Sequence, residues 1–335
     1  MAGKKNIAVR MLVTAAAVAA STAALAWEPT KPIEFVGTAG AGGGTDIFAR
    51  TVQSIIQKHK LVSQPIVVES KGGGSGAEGY MYVKNAAGDP YRLVFGTSNT
   101  WQQPILSNVP YKHTDFTPVA AMVNDEFLLW VKGDSPYKTA GDVLKGMKAK
   151  NGDWRMGGAL SKDTDEMLTH LIEKAGNVKV TFIPYKSGGE TAVQLAGGHI
   201  DSQTNNPSES IGQWKAGTQR PVCVFNTQRL PSTTKVTATE SWHDIPTCKE
   251  QGLDVGATYQ QPRTVWLPGK VKPEEQAYWV EVMRKVQATP EWKEYVERTS
   301  QTSTFAAGKD LEKLIQGDLE RTRKIGLDQG WVAAR

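Results

Sequence analysis

The chain has 335 residues, with 39 basic and 34 acidic side chains, a formal charge of +5 and only two cysteines. Lys4, Lys5 and Arg10 precede an apolar, alanine-rich run from Met11 to Leu25 and an Ala24-Leu25-Ala26 exit, the three-part form of a secretory signal peptide, too short to span a membrane. Without residues 1–26 the charge falls from +5 to +2, and no Lys/Arg cluster interleaved with aromatics remains, which excludes nucleic acid as a partner. The rest of the chain is long enough for two domains.

In chain order, KPIEFVG (31–37) predicts a short apolar strand, and GTAGAGGGTDIFAR (37–50) passes from a glycine loop into a helix over 45–60. Ile47, Phe48, Val52, Ile55 and Ile56 fall on one face of that helix. QPIVVES (64–70) predicts a second strand, KGGGSGAEGYMYVKNA (71–86) repeats the glycine loop into helix, and YRLVFGTSNT (91–100) predicts a third strand. Such alternation argues for parallel βαβ units with their ligand crevice outside the carboxyl ends of the strands. PVAAMVNDEFLLWVKG (118–133) is long enough to leave one domain and enter another.

A fresh set of units follows: strand WRMGG (154–158), loop ALSKDTD (159–165), a helix to Ala175, strand VTFIPYK (180–186), a helix to Ala196, and strands HIDSQTNN (199–206) and RPVCVFN (220–226). YQQPRTVWLP (259–268) predicts a second crossing, and helices over 273–288, 290–299 and 309–326 end the chain. The expected architecture is α/β and two-lobed, each lobe a mostly parallel sheet flanked by helices. Residues 27–126 and 259–335 form the first lobe, and 127–258 are inserted as the second.

A helix start leaves backbone N–H groups unpaired and carries a partial positive charge. Glycines there let an anion approach those donors, so GGGTD (42–46), with the Thr45 hydroxyl, predicts a grip for a carboxylate or phosphate. Asp46 reads as a cap and first-turn dipole partner, with contact to the guest through water as the sharper alternative. GGGSGA (72–77) fits the dinucleotide pattern, but no acidic residue ends a second strand at the required distance. Gly269-Lys270 is followed by Val271 and Gly308-Lys309 by Asp310, so no P-loop exists.

The five histidines are scattered, and no GxSxG elbow surrounds Ser75, Ser98 or Ser161. Asp163/Asp165 and Asp125/Glu126 read as solvated charge or helix capping. These readings predict no enzyme, no cofactor and no metal. Cys223 and Cys248 lie in no CxxC; a disulfide and two buried thiols both remain open.

Several motifs in order, KPIEFV then GGGTDIFAR, PIVVESKGGGSGAEG, LVFGTS, FTPVAAM, IPYKSGGE, LAGGHID and IPTCKEQGLD, resemble the solute receptors of tripartite tricarboxylate transporters, the periplasmic Bug-type binding proteins. The resemblance implies a Venus flytrap of the type II periplasmic class, exported to the periplasm. It would act as a monomer that closes on a small di-, tri- or aromatic carboxylate and passes it to membrane transporter subunits. An exported enzyme working in the same cleft and a receptor for a signalling membrane protein are the alternatives.

Carried onto this chain, the resemblance assigns solute contact to Gly43, Gly44, Thr45 and Asp46, to Thr97 and Ser98, and in the second lobe to Tyr185, Asp201 and Asn205. Two departures stand out. Thr38-Ala39-Gly40-Ala41 replaces the family's Pro-Phe-Pro-Pro, which should enlarge and loosen the wall around Ala39. ALSKDTD, opening at Ala159, replaces Gly-Ser-Pro-Ser-His, so contacts to the far end of the solute transfer least. Trp101 and Arg263 are local candidates for stacking and for a second carboxylate.

Overall fold

Five-residue apolar runs between glycine-rich turns set the first lobe's strands. The computed structural model describes residues 27–256 and 259–332; the leader expected over 1–26 lies outside them. Strands β1 (Ile33–Gly37), β2 (Ile66–Ser70) and β3 (Arg92–Gly96) pair in parallel, with β1 in the middle. They are followed by β4 (Phe116–Glu126), by β5 (Leu128–Lys132), β6 (Arg155–Ala159), β7 (Thr181–Tyr185), β8 (Ser202–Asn205) and β9 (Gln219–Val224), and by β10 (Gln260–Pro268) and β11 (Thr302–Ala306).

One sheet has the order β11-β4-β10-β3-β1-β2 and the other β7-β6-β8-β5-β9. The two-lobed α/β class holds. The sheets are mixed, where alternation predicted mostly parallel ones, because β10 and β11 run against the first parallel triplet and β5 against the second. The expected single run over 118–133 breaks at Phe127: β4 pairs with β10 from Phe116↔Pro268 to Glu126↔Gln260, and β5 joins the other sheet. Both connections between the sheets therefore sit side by side.

The helices are α1 (Gly44–His59), α2 (Ala77–Lys84), α3 (Asn99–Leu106), α4 (Ala140–Lys150), α5 (Thr164–Gly176), α6 (Gly188–Ala196), α7 (Pro207–Lys215), α8 (Pro273–Ala288), α9 (Pro290–Arg298) and α10 (Lys309–Asp328). Helix α1 forms because Phe48, Val52, Ile55 and Ile56 make one buried stripe, and it stops where Lys60 turns left-handed. That stripe packs on Phe35, Phe95, Trp279 and Trp292; each fully buried side chain of this size contributes about 1.5–3 kcal/mol.

Helix α4 starts on a capping box between Thr139 and Asp142. The second lobe's cores gather Trp154, Met156, Met167 and Leu168 on one face of the sheet, and Trp130, Trp214 and Trp242 on the other. Ile325, Trp331 and Val332 pack against the first of these, so the C-terminal helix reaches from the first lobe to the second. A disulfide joins Cys223 of β9 to Cys248 across 25 positions, a closure worth roughly 3 kcal/mol. No helix among the described residues is long and apolar enough to cross a membrane.

Candidate functional site

The glycine loop lies where expected, at the carboxyl end of β1, but the protein itself uses its donors. Ala39 N–H donates to Thr45 Oγ1 (2.9 Å), Gly42 N–H to Asp46 Oδ2 (2.9 Å) and Gly43 N–H to the Gly40 carbonyl (3.0 Å). Gly40 N–H donates across the cleft to the Lys186 carbonyl (3.0 Å), and Gly44 N–H to Glu209 Oε1 (2.8 Å). Glu209 comes from the first turn of α7 in the second lobe. Asp46 clasps the loop: Arg50 Nε and Ser70 Oγ donate to its Oδ1. Burial opposes its charge, yet these donors and the Gly42 amide hold its carboxyl below the ordinary range.

Arg263, on β10, is 3% exposed and stands behind the loop. Its Nη2 pairs with the fully buried Asp125, donates to Asn206 Oδ1 (3.1 Å) and lies 3.9 Å from Glu209 Oε2. Burial works against its charge, but Asp125 and Glu209 raise its pKa, so it stays a cation. A Cβ on Gly44 would fall 1.9 Å from Arg263 Nη2; that glycine is required by this close approach.

Across the cleft, loop 159–165 is folded under strain. Leu160 (φ 59°) and Lys162 (φ 53°) are left-handed without being glycine, at a cost of about 1–3 kcal/mol each. First-lobe groups hold it there: Gln103 Nε2 donates to the Ser161 (2.9 Å) and Lys162 (3.1 Å) carbonyls, and Ser161 N–H donates to Ser75 Oγ (3.0 Å). Asp163 caps α5 through Thr164 N–H (2.7 Å) and accepts from Gln261 Nε2 (3.1 Å). Asp165 Oδ2 accepts from Ala159 N–H (2.7 Å). Asp163 caps a helix, as one sequence reading had it, while Asp165 in the first turn holds a strand-end amide instead, and both are buried, not solvated. Burial pushes Asp163 up to about 6 and lifts Asp165 well above the usual carboxylate range.

Together these groups enclose a polar cavity of about 30 Å³, where residues from the starts of α1, α5 and α6 meet Asn206, the N-cap of α7. That is room for a water molecule or two, so the lobes are closed on one another and a solute needs them apart. The small residues at 38–41 do not widen the wall. They let the second lobe come in, with the Lys186 carbonyl on Gly40 and the Gly42 carbonyl 2.6 Å from where a Gly189 Cβ would sit. An open groove of about 700 Å³ beside α9 and β11 is larger. It gathers none of the strand-end loops, and we place the site in the inter-lobe cavity.

Of the residues expected at the site, Ala39, Gly44, Thr45, Thr97, Ala159 and Arg263 line this cavity. Gly43 and Asp46 shape the loop from behind, Ser98 starts α3, and Asn205 props α6 by donating to the Gly188 carbonyl (2.9 Å). Trp101 is away from it: it is fully buried and its Nε1 donates to Asp318 of α10 (2.7 Å). Tyr185 packs beside Ile183 on the Trp130–Trp214–Trp242 cluster.

Asp201 lies at the opposite edge of the sheet, before β8, paired with Lys150 and bound to Arg155 N–H (2.7 Å). Sequence reasoning missed Glu209, Asn206 and Gln261, and it misjudged Asp163 and Asp165. The run Asn206-Pro207-Ser208-Glu209 was the available signal: a cap, a proline at the first helical position and an acid in the first turn.

Two α/β lobes joined by adjacent crossing strands, with a closed polar cavity among helix starts, define a two-lobed binding protein of the periplasmic kind. The solved BugD structure, described as a periplasmic binding protein, shares this fold with a TM-score of 0.82 at 20% identity, over 91% of this chain and 99% of that one. Residues 48–330 match the model described as "Tripartite tricarboxylate transporter family receptor", and the chain belongs to that family.

Among curated relatives, a Cupriavidus necator protein, "UPF0065 protein in gbd 5'region", is 27% identical over 261 residues, 74% of this chain and 76% of its own. BugT of Bordetella pertussis is 26% identical over 205 residues, 60% of this chain and 62% of its own. MatC from Rhodopseudomonas palustris with bound malate aligns with a TM-score of 0.80 at 19% identity, over 89% of this chain and 99% of MatC.

Proposed function

We propose that this receptor is exported to the periplasm, closes on a small carboxylate between its lobes, and delivers it to a tripartite-type membrane transporter without altering it chemically. One observation carries the carboxylate reading: Glu209 seats its own carboxylate on the Gly44 amide, beside Arg263 Nη2. A solute carboxylate taking that place gains the Gly44 amide, the guanidinium and the start of α1. Hydrogen bonds to a charged group are worth roughly 1.5–3 kcal/mol each and the helix end about 0.3–1. Malate in MatC and adipate in a second R. palustris neighbour, at a TM-score of 0.81, lend support.

In this reading the solute touches Ala39, Gly44, Thr45, Thr97, Ala159 and Arg263, with Gly43, Asp46, Ser98 and Asn205 shaping the walls. No histidine lines the cavity among the described residues, and its carboxylates are held by amides or by Arg263. That supports a receptor over an enzyme.

No tryptophan lines the cavity among the described residues, so titration calorimetry is the suitable probe. With malate, adipate, citrate and terephthalate, at least one is expected to bind in the micromolar range. Thr45→Ala, which removes the acceptor of the Ala39 amide, is expected to weaken binding about tenfold, the worth of one hydrogen bond of about 1.4 kcal/mol. Full affinity in that variant, or no binding by any carboxylate, overturns the assignment.

A further inference from the structure

The cavity is richer in acids than a site for plain carboxylates should be. Asp163, Asp165 and Glu209 all line it, against the single guanidinium of Arg263, which already has Asp125 as its counter-ion. Two of the three acids are answered. Asp163 accepts from Thr164 N–H and Gln261 Nε2, and Glu209 accepts from the Gly44 amide.

Asp165 differs. Its Oδ2 accepts from Ala159 N–H, and the nearby Thr204 hydroxyl donates to the Asp165 backbone carbonyl (3.4 Å) and not to the side chain, so Oδ1 has no hydrogen-bond partner although the residue is only 4% exposed. A buried carboxylate oxygen needs a proton or a donor. A second solute carboxylate can meet Oδ1 only while Asp165 keeps its proton, and it adds negative charge to an acid-rich cavity; a solute ammonium supplies both a donor and the compensating charge to the ionised side chain.

We propose that the cleft selects solutes carrying a protonated nitrogen, which lodges against Asp165 with Asp163 beside it, while the solute's carboxylate takes the Gly44–Arg263 end. The inference rests on the carboxylate reading above and narrows it from di- and tricarboxylates to amino carboxylates. The raised pKa of Asp165 fits the same geometry. Burial first, and the neighbouring charges of Asp163 and Glu209 after it, favour the protonated form while the side chain faces no cation. A docking ammonium favours the carboxylate form, so that proton is released to solvent on binding.

The test is calorimetry of the whole protein at pH 7.5 with ligands of one chain length: glutarate, 4-aminobutyrate, glutamate and 1,3-diaminopropane. A second set, succinate, 3-aminopropionate, aspartate and ethylenediamine, covers the shorter span. An amino carboxylate is expected to bind at least tenfold more tightly than the matched dicarboxylate, with a heat that depends on the buffer's ionisation enthalpy. Asp165→Asn is expected to lose at least tenfold for the amino carboxylate and to gain for the dicarboxylate; Asp163→Asn gives a smaller shift of the same sign.

The wild-type preference is read without any variant, so a misfolded substitution does not rescue the idea. A dicarboxylate binding as tightly as its amino counterpart overturns the nitrogen proposal and leaves the carboxylate reading intact. Binding of the diamine alone overturns the carboxylate reading and with it the amino-carboxylate proposal that rests on it. No binding in either set overturns both.

Discussion

The two loops that face each other across the cleft, Thr38–Asp46 and Ala159–Asp165, are built from opposite materials. The first is mostly bare backbone, and its amides are matched one by one with acceptors: Thr45, Asp46, Gly40, Lys186 and Glu209. The second brings acids faster than donors, and one carboxylate oxygen of Asp165 is left over. A glycine loop at a helix start announces that an anion can sit there. What sits there in the closed protein is decided by the opposite wall, which here supplies the anion itself through Glu209.

The largest expected effect breaks the joint between the two walls. Arg263→Met removes the cation between Asp125 and Glu209 and leaves Asp125, which is 0% exposed, without its counter-charge. Loss of one partner of such a pair costs about 3–5 kcal/mol. Urea denaturation should show a drop of that size, and adding Asp125→Leu should restore part of it, since the apolar pair removes one buried charge and leaves Glu209 on the Gly44 amide. A loss below about 1 kcal/mol in the single variant would mean that Arg263 is a bystander and that the lobes are joined elsewhere.

How much of this was legible depended on which physical signal each residue carries. Helix α1 was read to within a residue at each end, because Phe48, Val52, Ile55 and Ile56 repeat at helical spacing and Lys60 follows. Helix α3 was missed: Pro104 lies inside it and its buried residues include Asn99, Thr100, Gln102 and Gln103, which give no apolar stripe. Strand β11, at the sheet edge, has two exposed threonine and serine positions at its start and little to alternate.

In the site, the glycines were legible because backbone approach is local. Glu209 was not, since it reaches Gly44 from a helix 165 positions away. Asp163 and Asp165 read as solvated charge or helix caps, and their burial was not legible because it depends on the other lobe.

A pH titration sharpens the contrast between the loops. The folded pKa of Asp163 is about 6 against an ordinary 3.8. Between those values the native state holds a proton that the unfolded chain has lost, and stability therefore falls as pH rises from about 4 to about 6. The span of the shift sets the fall at roughly 3 kcal/mol. Asp46 works in the opposite sense: its carboxyl is lowered, and its contribution is lost as pH falls below the ordinary value. Denaturation midpoints measured from pH 4 to 7 should decline across that window in the wild type and less steeply in Asp163→Asn, where Asp165 and Glu209, also raised by burial, still contribute. An unchanged slope in the variant would show that Asp163 is hydrated in solution.

The smallest effect tests which edge of the second sheet meets the solute. Family resemblance pointed to Asp201, and the chain places it before β8, where Oδ1 pairs with Lys150 Nζ at 2.6 Å and Oδ2 accepts from Arg155 N–H. The cavity lies at the other end of the same strands, beyond Ala159 and Asn205. Lys150 and Arg155 are each about 40–46% exposed, so the ion pairs are screened and worth about 0.2–1 kcal/mol. Asp201→Asn keeps an acceptor for the Arg155 amide and should shift stability by no more than that. It should leave the affinity of every carboxylate and amino carboxylate within twofold of wild type, while Asp165→Asn moves them. A larger change in affinity at Asp201 would put the solute at the wrong end of β8 for the cavity, and with it would fall the opposition of the two loops as the source of selectivity.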